Sequence, residues 1–180
     1  MFRSDENYRF FLQKMKHHIS PVASFYAYCL IPNHFHFLIK VNSLEAIKKR
    51  YAEVKSKDFV KQDSVLTSEF LMEQFSNCFN AYTKAFNIAY NRKGKLFMEH
   101  LHRKQVESDV YFTKVIHYIH ANSLHHGLAK KFSDWPYSSY SAFLKNTPTM
   151  LERSEVLDWF GGKERYVKFH KQPVELRLTV

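Results

Sequence analysis

The sequence predicts an α+β chain, an antiparallel sheet with helices packed on it, and three observations predict it. The elements come in the order helix, hairpin, helix, strand, helix. Two aromatic-rich strand segments are separated by one turn signal, Ile31-Pro32-Asn33. A long stretch from about Ser68 to Tyr90 sets Leu71, Phe75, Cys78, Phe79, Tyr82 and Phe86 at three- and four-residue steps.

The elements follow in order. Ser4-Asp5-Glu6 opens a helix whose apolar face is Tyr8, Phe11, Leu12 and Met15, and Ser20-Pro21 ends it. Residues 23–30 read as a strand. His34 to Val41 read as its antiparallel partner. The lysine-rich stretch 44–62 is a short helix or a mobile basic segment. Asn91-Arg92-Lys93-Gly94 ends the long helix, and Leu96 to Val106 is predicted as a further strand. A helix runs from Ser108 to about Asn122, Pro136 is placed to open a short one, and a last helical stretch lies on either side of Gly161-Gly162.

With 180 residues the chain suits one domain with a sizeable core. Hydrophobic residues at 45% and charged residues at 24% exclude disorder, and 4 Gly and 5 Pro exclude a fibrous chain. Its 27 Lys and Arg against 17 Asp and Glu give a net charge of +10, and aromatics reach 17%. A basic surface with spare rings favours a polyanion whose bases offer faces to stack on, nucleic acid first. Cys29 and Cys78 both sit in apolar patterns, as reduced core residues of a cytoplasmic protein would. No signal peptide and no membrane span are visible.

The segment that carries most chemistry is His34-Phe35-His36-Phe37-Leu38-Ile39-Lys40-Val41. On a strand, Phe35, Phe37, Ile39 and Val41 share one face, suited to a core, and His34 and His36 share the other. Two neutral imidazoles on one face begin a divalent metal site without completing it. A second constellation is Tyr118-Ile119-His120-Ala121-Asn122, which stacks Tyr118 and Asn122 one helical turn apart. A phenol can act as a nucleophile, and an amide oxygen beside it can complete a metal's coordination. Tyr111, two turns earlier on much the same stripe, is a rival nucleophile by spacing alone.

Together these pieces resemble a known family. Residues 28–39, Tyr-Cys-Leu-Ile-Pro-Asn-His-Phe-His-Phe-Leu-Ile, are similar to the histidine-hydrophobe-histidine signature of the single-tyrosine HUH transposases. Residues 118–128 resemble the helix bearing their nucleophile. Asp134-Trp135-Pro136-Tyr137-Ser138-Ser139-Tyr140 is similar to the segment after that helix in the REP-associated tyrosine transposase branch, and Gly94 to Phe97 with His102-Arg103-Lys104 fit its basic strand.

The resemblance implies a ferredoxin-like α+β nuclease core over residues 1–128, with a C-terminal helical extension over 129–180. It implies a metal-dependent endonuclease and strand transferase on single-stranded DNA, often beside a hairpin. By position, His34 and His36 would hold Mg²⁺ or Mn²⁺ with Asn122 as third ligand, and Tyr118 would attack phosphorus to leave a 5′-phosphotyrosine. Arg92, Lys93, Lys95, Arg103 and Lys104 would contact the DNA backbone, with Lys48, Lys49 and Arg50 as further candidates. Relatives work as monomers or as homodimers. Family members begin with a strand that lies beside the histidine strand, whereas this chain starts almost at its first helix. Without that first strand the edge hydrogen bonds are expected to be unpaired unless another segment or a second subunit fills in, as in a truncated start or a decayed copy. A decayed or domesticated relative that binds hairpin DNA without cutting it is the alternative function. His100, His102, His117, His120, His125 and His126 are expected to be phosphate contacts or surface residues, and Trp135, Tyr137 and Tyr140 to hold the C-terminal segment against the core.

Overall fold

The computed structural model describes residues 1–55, 64–97, 101–106 and 109–174. Its elements are α1 (Asp5–His18), β1 (Ala23–Leu30), β2 (Phe35–Val41), α2 (Leu44–Lys55), α3 (Ser64–Ala89), α4 (Asp109–His125), α5 (Tyr140–Leu144), α6 (Arg153–Phe160) and α7 (Lys163–His170), with a 3₁₀ turn at Phe132–Asp134. The α+β class holds, with β1 and β2 forming a two-stranded sheet. The residues fall into two compact units interleaved along the chain, 1–24 with 40–99 and 25–39 with 100–180.

In the first unit, α1 packs on α3 through rings. The α1 face that buries Tyr8, Phe11 and Met15 meets the α3 stripe of Phe75, Cys78, Tyr82 and Phe86. Phe11 stands edge-on to Tyr82 at 5.0 Å between ring centres, and the Cys78 thiol lies 3.6 Å from the Met15 sulfur. Each such fully buried side chain contributes about 1.5–3 kcal/mol of apolar burial. Asn7 fixes the entry to α1, its side-chain oxygen accepting from the backbone N–H groups of Arg3 and Ser4 and from the Tyr90 hydroxyl. Val22, Ile47 and Phe70 make a smaller cluster under α2.

The predicted strand over Leu96–Val106 is not formed at residues 96–97 and 101–106; positions 98–100 lie outside the described residues, and with them His100. Local packing explains the difference. The ring of Phe97 joins the helix-borne rings instead of a ladder, 4.9 Å from Phe79 and 6.4 Å from Phe11. Before it the chain curls through Gly94 at φ +86, held where the Arg92 guanidinium donates to the Asn87 side chain and to the Lys95 carbonyl.

In the second unit, the body of the hairpin carries α4. The Ile31 N–H donates to the His34 carbonyl at 2.9 Å, closing the turn over Pro32 and Asn33. The apolar assignment on β2 requires correction. Phe35, Phe37 and Ile39 are only half-buried, and in the first unit Val41 is 46% exposed, whereas Leu38, on the histidine face, is 6% exposed. The reason lies in what covers each face. The α4 helix packs over the histidine side, where the Cys29 thiol bonds to the Ser123 backbone and to Ser138, and burial pushes that thiol up to about 12. On the other side Tyr28 meets Phe37 at 6.0 Å, and Trp159 of α6 stacks on Tyr26 at 5.0 Å.

The segment after α4 pairs with the outer edge of β1. The Leu30 N–H donates to the Tyr137 carbonyl, the Ser139 N–H to the Tyr28 carbonyl, and the Glu152 N–H to the Phe25 carbonyl, all at 2.9 Å. Trp135 adds its indole N–H to the Leu30 carbonyl at 2.8 Å and so holds this segment against the core, the part expected of it. The filled edge is that of β1; among the described residues β2 has no second strand neighbour. Pro136 sits in a turn, and the short helix opens four residues later at Tyr140. Among the described residues no helix is long and apolar enough to cross a membrane.

Candidate active site

Helical geometry places the second constellation. Tyr118 and Asn122 on α4, and His126 just past its end, recur every four residues and form one stripe. Asn122 is buried, and its amide nitrogen donates to the carbonyls of Tyr118 at 2.9 Å and Ile119 at 3.4 Å. Those bonds fix the amide, so its oxygen is the end that meets His36 in their side-chain hydrogen bond.

The strand histidines face this stripe. The rings of His34 and His36 stand 5.1 Å apart, His36 lies 5.8 Å from the Tyr118 ring, and His34 lies 4.9 Å from His126. Tyr118 is half-buried. The ring beside His36 is therefore that of Tyr118; Tyr111, seven residues earlier on α4, sits about 10 Å back along the helix axis. Both strand imidazoles are kept neutral. Burial first, then His34 and His126, bring His36 down to about 4, and burial with His126 lowers His34 as well. His34 Nδ1–H donates to the Asn33 side-chain oxygen at 3.0 Å, which leaves the lone pair on Nε2.

Two neutral imidazoles and one oriented amide oxygen are donor types that a divalent cation accepts. Among the described residues no group of three or more His, Cys, Asp or Glu is placed to hold a metal ion.

The end of α4 is fixed by a Schellman cap. The Gly127 N–H donates to the Leu124 carbonyl at 3.0 Å and the Leu128 N–H to the Ser123 carbonyl at 2.9 Å, with Gly127 at φ +65. This is what stations His126 at the helix end, near His34. A Cβ at Gly127 would meet nothing within 4 Å, so Gly127→Ala should cost only the backbone penalty of about 1–2 kcal/mol, read as a lower urea midpoint at unchanged slope.

His126 is exposed, as expected of the surface histidines, and its eight-residue spacing from Tyr118 sets it on the same stripe. His117 and His120 depart from expectation, because both are buried. They occupy the opposite flank of α4 and face α7. The bonds there form a directed chain. The Tyr28 N–H donates to Ser139 Oγ at 2.9 Å, and the Ser139 hydroxyl donates to His120 Nε2 at 2.7 Å. His120 Nδ1–H then donates to His170 Nε2 at 2.9 Å, and His170 Nδ1–H to the Tyr166 carbonyl at 2.9 Å. Each direction follows from the last, since a carbonyl only accepts.

Of the basic residues singled out, Lys93 and Lys95 are exposed in the first unit and Arg103 and Lys104 in the second. Arg92 is half-buried and already bound to its own loop. Comparison with protein-family models, with curated proteins and with solved structures finds no match for this chain.

Proposed function

We propose that the chain is a metal-dependent single-stranded DNA endonuclease and strand transferase of the single-tyrosine HUH kind, with a ferredoxin-like core and hairpin-bearing DNA as its partner. The observation that carries this reading is the meeting of Tyr118 with His36, beside His34 and Asn122, three residue types that the chemistry requires and that come from distant parts of the sequence.

Tyr118 is the nucleophile. Its phenolic oxygen forms a bond to phosphorus as the bond from phosphorus to the 3′ oxygen breaks, leaving a 5′-phosphotyrosine and a 3′-hydroxyl. The phenolic proton passes to solvent, and the departing 3′ oxygen takes a proton up. One phosphodiester is exchanged for another, so rejoining needs no added energy source. A divalent cation held by His34, His36 and Asn122 would withdraw charge from the phosphate oxygens, and the two nitrogen donors incline that site towards Mn²⁺. The protein's own part is positioning: α4 fixes the phenol and β2 fixes the imidazoles.

The test is covalent trapping. The chain is mixed with labelled single-stranded oligonucleotides from both flanks of its gene, with Mn²⁺, and run on a denaturing gel. A labelled band at the summed mass is expected, lost completely in Tyr118→Phe and with a chelator. A band that persists in Tyr118→Phe would refute Tyr118 as nucleophile. Absence of any adduct with hairpin binding retained would replace this reading with that of a binding protein.

A further inference from the structure

The first unit contains an open concavity of about 510 Å³ between the last turns of α1 and the middle of α2, lined by Gln13, Lys14, Lys16, His17, Pro21 and Arg50. Four of those six side chains are basic and none is acidic. Among the described residues no carboxylate lies within ion-pair distance of Lys14, Lys16 or His17. The Lys14 ammonium rests over the Phe10 ring at 4.9 Å.

Arg50 is the unusual member. Only 20% of its side chain is exposed, one guanidinium nitrogen pairs with Glu53 at 3.3 Å, and its Nε is buried with no hydrogen-bond partner. The hydroxyl of Ser20, next to the lining residue Pro21, is likewise buried and unpartnered. Unmet buried donors of this kind are rare, and an unmet donor on a cation is costlier still. Basic residues at the C-terminal turn of α1 do complement its dipole. That accounts for Lys16 and His17; it does not account for an arginine folded into the concavity from α2. Lys14, His17 and Arg50 also converge on His18, whose imidazole is lowered by burial first and then by these three charges.

We propose that this concavity binds the phosphodiester backbone of nucleic acid, taking two or more consecutive phosphates. It is a contact surface on a different unit from Tyr118, and it rests on the nucleic-acid partner of the reading above but not on the cleavage chemistry. The spread of cations from Lys14 to Arg50 suits a run of phosphates better than one small anion, and the chain's charge of +10 draws such a strand in.

The experiment measures binding of a labelled DNA hairpin with single-stranded flanks by fluorescence anisotropy from 50 to 300 mM KCl, without divalent metal, so that cleavage plays no part. The variants are Lys14→Gln/Lys16→Gln, which leaves the buried groups alone, and Arg50→Gln. Lys168→Gln/Lys171→Gln, two exposed positions on and just after α7, control for lost charge. The Lys14/Lys16 pair is expected to weaken binding about tenfold near 150 mM salt and to lower the salt slope by about one to two. The control should change affinity less than about twofold. Equal effects of pair and control, or no hairpin binding by the parent chain even at 50 mM salt, would overturn the proposal. Titration with inorganic tripolyphosphate separates the other source of phosphate. Stoichiometric binding lost in the variants while hairpin affinity stays unchanged would assign the concavity to a small polyanion and overturn the nucleic-acid assignment. Hairpin binding that depends on Lys14 and Lys16 in a chain that forms no adduct would support this proposal and defeat only the nuclease reading.

Discussion

Between pH 7.5 and pH 5 the folded chain should lose about 4 kcal/mol of stability, a large share of the 5–15 kcal/mol that holds a domain together. The loss comes from the histidine chain behind α4. His120 and His170 are buried and neutral, each nitrogen already committed as donor or acceptor, so an added proton would face a donor where it needs an acceptor. Burial first, and then the neighbouring His117, bring His170 down to about 3; burial first, and then His170 and His117, push His120 well below the ordinary value of 6.5. In the unfolded chain both titrate near 6.5. The folded state therefore binds fewer protons, and its advantage is complete above that value and falls as pH drops through it. At pH 5 each histidine costs about 2 kcal/mol. His117 adds to the same trend, with one nitrogen buried and unpartnered and its titration lowered by burial. Urea midpoints followed by circular dichroism at the two pH values check this. His120→Gln, which keeps polar bonding without titrating, should lower stability at pH 7.5 and remove about half of the acid loss. An acid loss unchanged in that variant would place its origin elsewhere.

That network marks where sequence reading stops. The β1–β2 hairpin was legible because alternation and a proline-asparagine turn are local signals, and α3 and α4 were legible from their periodicity. Spacing set each motif on one face of one element but left Tyr111 open beside Tyr118, and only the family resemblance pointed to Tyr118 and His36 as one site. The contact of His120 with His170 was not legible. It joins residues 50 apart in sequence, and α7 is too short for its spacing to say which face it buries. The face of β2 was misjudged for a related reason. Alternation says which residues share a side, and only the packing of α4 decides that the side holding Leu38 is the more deeply buried. At its described residues the strand expected over Leu96–Val106 is not formed, because a strand needs a partner and Phe97 found rings on α1 and α3 instead.

Asn122→Ala should slow formation of the Tyr118–DNA adduct roughly 10²-fold while leaving hairpin affinity within about twofold, the range seen when a ligand-orienting group is lost. Asn122 acts at both ends of its amide. Its nitrogen is tied to the carbonyls of Tyr118 and Ile119, and its oxygen bonds His36, so truncation frees the imidazole and removes one of three donors in a single step. The same change leaves a largely buried imidazole N–H without its acceptor, which costs about 1–3 kcal/mol of stability, so the comparison belongs well below the melting temperature. Asn122→Gln separates the two ends. It keeps an amide oxygen but sets it one methylene further out, away from the helix carbonyls, and should recover about a tenth of the parent rate. Mn²⁺ affinity, read by electron paramagnetic resonance, should fall in the same order as the rates. If Mn²⁺ binding is unchanged while the adduct is lost, Asn122 orients the phenol rather than the ion. If Asn122→Ala traps DNA as fast as the parent, the Tyr118–Asn122 stripe is a packing feature of α4, and the buried amide serves only to tie the helix to β2.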